Sequence, residues 1–165
     1  MVALIPRPPS ATTPLAAHAP AFLDSGTAFL RAAERDHLGR KRFGPVVTVN
    51  TICLAVEHLL YGLCLSWGLL PEGSCLIGLA AESVHATPLA ESATERSAQL
   101  SGLLDVCSLF PDTRIEDLRP EDADLAIVWG RELAETIHRA LPSSSPLIPN
   151  RATEEECPCP TPPSI

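Results

Sequence analysis

Asn50, Thr51, Glu57 and His58 are the polar residues of this chain whose types and spacing let them act together. Asn50 and Glu57 are seven apart, and Thr51 and His58 repeat the interval, so on a helix the four form one narrow stripe. Such a stripe is either a partly solvated strip or a polar seam at a subunit or ligand contact. Glu57 and His58 are adjacent and point in different directions on a helix, which argues against a catalytic acid–base pair. His18, His37, His85 and His138 are scattered, with no paired metal-ligand spacing. Cys157 and Cys159 offer two thiols, but nothing nearby completes a set of four ligands. The sequence therefore predicts no metal and no cofactor. No Ser or Cys lies in a nucleophile elbow. Asp112, Glu116, Asp117, Glu121, Asp122 and Asp124 form an acidic loop and helix start, partly offset by Arg114 and Arg119, and suit the helix dipole and solubility.

The elements that position these residues are marked out by proline. Of 17 prolines, five precede Ala21, seven follow Leu141, and five lie between: Pro45, Pro71, Pro88, Pro111 and Pro120. Proline lacks an N–H and disfavours the α conformation in the residue before it, so it marks boundaries. The expected fold is all-α: a four- to five-helix up-and-down bundle over residues 21–141, with disordered tails at 1–20 and 142–165. That leaves about 120 residues for one core.

The first helix is expected from Ala21 to Leu38, with Phe22, Phe29, Leu30 and Ala33 near one face. Arg31, Glu34, Arg35 and Asp36 cover the other. Gly39 suits its end. The second, Val46 to Trp67, is apolar on nearly every side and reads as the centre of the bundle. A membrane span is the alternative, but Asn50, Glu57 and His58 argue against it. Cys53 and Cys64 lie about 16 Å apart along this helix, too far for a disulfide, and read as small core residues. A shorter helix follows over Ser74 to Ala86. Thr87-Pro88 then reads as an N-cap and first helical residue, opening a long helix through Leu89, Ala93, Leu100, Leu103, Leu104 and Cys107 to a break at Phe110-Pro-Asp112. The last helix starts at Pro120 and turns Ala126, Ile127, Leu133, Ile137 and Leu141 inward, with Trp129 at the edge.

The formal charge of −8 does not steer the chain toward polyanions. The basic triplet Arg40, Lys41 and Arg42 reads as a solvated loop. The N-terminus lacks a secretory pattern, so cytoplasmic location and reduced cysteines are the expectation.

The order of elements and several short strings resemble the HEPN domain family over about residues 21–141. The strings are Phe29-Leu-Arg-Ala-Ala-Glu34, Leu54-Ala-Val-Glu-His-Leu-Leu-Tyr-Gly-Leu63, Trp67-Gly-Leu-Leu-Pro71, Phe110-Pro-Asp112 and Glu121-Asp-Ala123. The resemblance implies a helical bundle that is often a homodimer. Many such domains are RNA-cleaving toxins; others bind nucleotides or only mediate contacts. The family's ribonucleases carry an Arg, usually followed by Asn or Asp, and then a His four to six residues further on. In the last helix Arg131 and His138 match that spacing, but Glu132 stands where Asn or Asp is usual. Arg31 and His37 fit the loose spacing as well. The leading expectation is a HEPN-like interaction or regulatory module without catalysis, forming a homodimer. The alternative is a toxin-type metal-independent RNase using Arg131 and His138, for which a nucleotidyltransferase-like partner protein is implied.

Overall fold

The computed structural model describes residues 14–40, 43–73, 75–104 and 118–142. Among these residues the chain is helical throughout and has no strand. A short 3₁₀ turn, Ala16–His18, leads into α1 (Ala19–Arg35). A π-helical turn, Asp36–Arg40, precedes α2 (Pro45–Ser66). Then come α3 (Leu76–Ala86), α4 (Ser92–Leu104) and α5 (Pro120–Arg139).

The all-α bundle expected from the sequence is what the chain forms, and α2 is its centre. Val49, Ile52, Val56, Leu59, Leu60 and Leu63 are each fully buried, because α1, α3 and α5 cover three sides of the helix. Each such side chain contributes roughly 1.5–3 kcal/mol of burial. By length and composition α2 could cross a membrane, but most of its apolar stretch is buried inside the bundle. Pro45 occupies its first turn, and Gly68 at φ 73° closes it. The Gly68 N–H donates to Leu65 O at 2.9 Å and the Leu69 N–H to Cys64 O at 2.9 Å, a Schellman cap.

Glycines let the helices approach closely. Gly26 of α1 sits against Ala55 and Leu59, Gly62 of α2 against Leu23, and Gly130 of α5 against Ile52 and Leu30. These pairs make α1 antiparallel to α2. Gly130 against Ile52, with the Trp67 indole N–H donating to Ala140 O at 3.1 Å, makes α5 parallel to α2.

Five expectations are corrected. Residues 14–20, assigned to the N-terminal tail, contain the 3₁₀ turn and the start of α1. Regular α-helix ends at Arg35 instead of Leu38, because the next turn is π-wound. Asp36, expected on the polar face, is buried there, and its carboxylate accepts the Phe43 N–H at 2.7 Å. Thr87 does not open a helix: it ends α3, its hydroxyl donating to Ser83 O at 2.7 Å, and α4 begins only at Ser92. The helix expected from Ser74 begins at Leu76.

The expected Pro120 start is as read, with Asp122 accepting the Arg119 N–H at 2.8 Å. Cys53 and Cys64 are buried and unbridged. The remaining tail assignments, Lys41, Arg42, the Phe110 break, the acidic positions 112, 116 and 117, Cys107, Cys157 and Cys159 lie outside the described residues.

Candidate functional site

The side of α2 least covered by the described helices carries Asn50, Thr51, Glu57 and His58. Val47, Asn50 and Leu54 are exposed, the two apolar ones by 48% and 39%, and Thr51, Glu57, His58 and Tyr61 are partly covered. These seven recur at three-, four- and seven-residue intervals and line one face. The four seam residues named from the sequence therefore do share a stripe.

Aromatic residues of α1 frame its C-terminal half. The His58 ring lies 5.6 Å from Phe22, tilted, and 5.3 Å from Phe29, edge to face. Phe22 also stacks on Tyr61 at 5.7 Å, and the Tyr61 hydroxyl donates to Gly73 O at 3.2 Å. This packing leaves His58 Nδ1 buried without a hydrogen-bond partner, and such an atom costs its desolvation. Thr51 Oγ1 donates to Val47 O at 2.7 Å, which leaves its oxygen free to accept.

Glu57 is half-buried, and burial holds its carboxyl above its ordinary 4.5. Among the described residues it makes no ion pair. Burial, with the nearby Glu57 charge adding to it, pushes the Cys53 thiol up to about 12. Cys64 is raised chiefly by burial; its sulfur lies 3.2 Å from the Ser83 hydroxyl.

Arg131 and His138 sit elsewhere, on the exposed side of α5. The Arg131 guanidinium donates to the Glu34 carboxylate of α1, which raises its already high pKa. His138 is exposed in the last turn and has no hydrogen-bond or ion-pair partner among the described residues. Glu132 is drawn to α4, where Arg96 meets it at 2.9 Å. Arg96 also donates to Gln99 at 2.7 Å and lies 5.7 Å from the Trp129 ring centroid. A cavity of about 160 Å³ lies beside this cluster, lined by Ser92, Gln99, Glu132 and Thr136 among others.

Sequence reasoning missed the Arg96 cluster and the 2.6 Å contact between His37 and Asp124. Their partners lie on different helices, and no local spacing signals them. Among the described residues no group of three or more His, Cys, Asp or Glu could hold a metal. Comparison with protein-family models, curated proteins and solved structures finds no match to this chain.

Proposed function

We propose that this chain is a HEPN-like helical interaction module that pairs with a second copy of itself and carries out no catalysis of its own. The observation that carries the reading is the open stripe of α2. Scattered exposed apolar residues are ordinary. Here, however, Val47 and Leu54 lie in water on the central helix, beside a half-buried carboxylate with no counter-charge among the described residues. A covering partner removes the apolar surface from water and can supply the hydrogen bonds the polar groups lack.

The arrangement on α5 gives less support to RNA cleavage. A phosphate on the remaining donors of Arg131 would lie beside the Glu34 carboxylate that its Nε already holds. Glu132 and Glu135 flank the same surface.

Light scattering of the full chain across the micromolar range tests the pairing, with a dimer mass expected. An RNA-cleavage assay in a metal chelator tests the chemistry, with no activity expected. Metal-independent cleavage lost in His138→Ala overturns the non-catalytic reading, since general acid–base work by histidine contributes roughly 10²–10⁴-fold.

A further inference from the structure

We draw no further inference here: the strongest candidate, the cavity of about 160 Å³ between α4 and α5, carries nothing, because Arg96 and Glu132 of its lining already pair with each other and nothing among the described residues shows what would fill it.

Discussion

Gly26→Ala probes the contact that fixes α1 on α2. In an ordinary helix interior the change is favourable by about 1 kcal/mol, because glycine has more backbone entropy to lose. Here the added Cβ would stand 2.7 Å from the Ala55 carbonyl oxygen and 2.7 Å from Leu59 Cγ. The oxygen is backbone in the middle of α2 and Leu59 is fully buried, so neither wall can yield cheaply. Relief requires α1 to move outward, and overpacking of that kind costs about 1–3 kcal/mol. With both walls fixed the upper half of that range applies, and a net loss of about 1–2 kcal/mol remains after the propensity gain. For a bundle of this size the melting temperature should fall by roughly 3–8 °C. Gly102→Ala is the control, since nothing lies within 4 Å of its added Cβ; it should be neutral or stabilising. Gly62→Ala falls between, because its nearest neighbour is the Leu23 side chain, although the Leu23 backbone nitrogen is 3.1 Å away. Circular-dichroism melts at one fixed protein concentration read all three, which keeps any contribution from pairing constant. A Gly26→Ala melt at or above the parent's refutes the close crossing of α1 and α2.

Leu59→Asp places a charge where the side chain is fully buried and should cost about 3–5 kcal/mol; a melt within two degrees or so of the parent removes α2 from the centre. Glu57→Gln should raise the melting temperature at pH 7 and leave it unchanged near pH 4. Burial raises the Glu57 carboxyl above 4.5, so the folded chain holds more protons than the unfolded one in the window above that value, and its stability falls as pH rises through it. An equal gain at both pH values refutes the desolvation account. In a variant with Cys107, Cys157 and Cys159 changed to Ser, exposed Cys75 should alkylate at once under native conditions, and Cys53 and Cys64 only on unfolding. With its pKa near 12, about one Cys53 in ten thousand is a thiolate at pH 8; native labelling of Cys53 at the rate of Cys75 contradicts its burial.

What could be read from the sequence was what local pattern encodes. α2 is apolar around its whole circumference, which only a central position or a membrane satisfies, and its seam follows from residue spacing alone. The end of that helix at Trp67 is equally local, closed by Gly68 at positive φ. Thr87 shows where local pattern is degenerate. Proline at 88 restricts the residue before it to extended backbone, and Thr87 sits at φ −134°, ψ 170°. That conformation suits an N-cap and a C-cap alike: the hydroxyl donates back to Ser83 O and accepts the Leu89 N–H at 3.3 Å, but the next helix starts only at Ser92. Asp36 was unreadable for a different reason. Its burial follows from the chain reversal that brings Phe43 back onto it, and no helical wheel includes that return. Arg131 and Glu34 are 97 positions apart, so no local spacing links them.

The two functional readings differ in what each asks the folded chain to undo. Arg131 is turned onto Glu34 and Arg96 onto Glu132, while Arg35 and Arg139 donate to carbonyls of their own helices. An exposed ion pair contributes only about 0–1 kcal/mol, so opening one to admit a phosphate is cheap in itself. The obstacle is what opening leaves behind: the freed carboxylate stays within reach of the incoming anion, on a chain already at −8. Covering α2 asks for nothing to be undone. Val47 and Leu54 are already exposed, and its one carboxylate already lacks a counter-charge among the described residues. That asymmetry supports the proposed self-pairing over phosphate binding at the Arg131–His138 face.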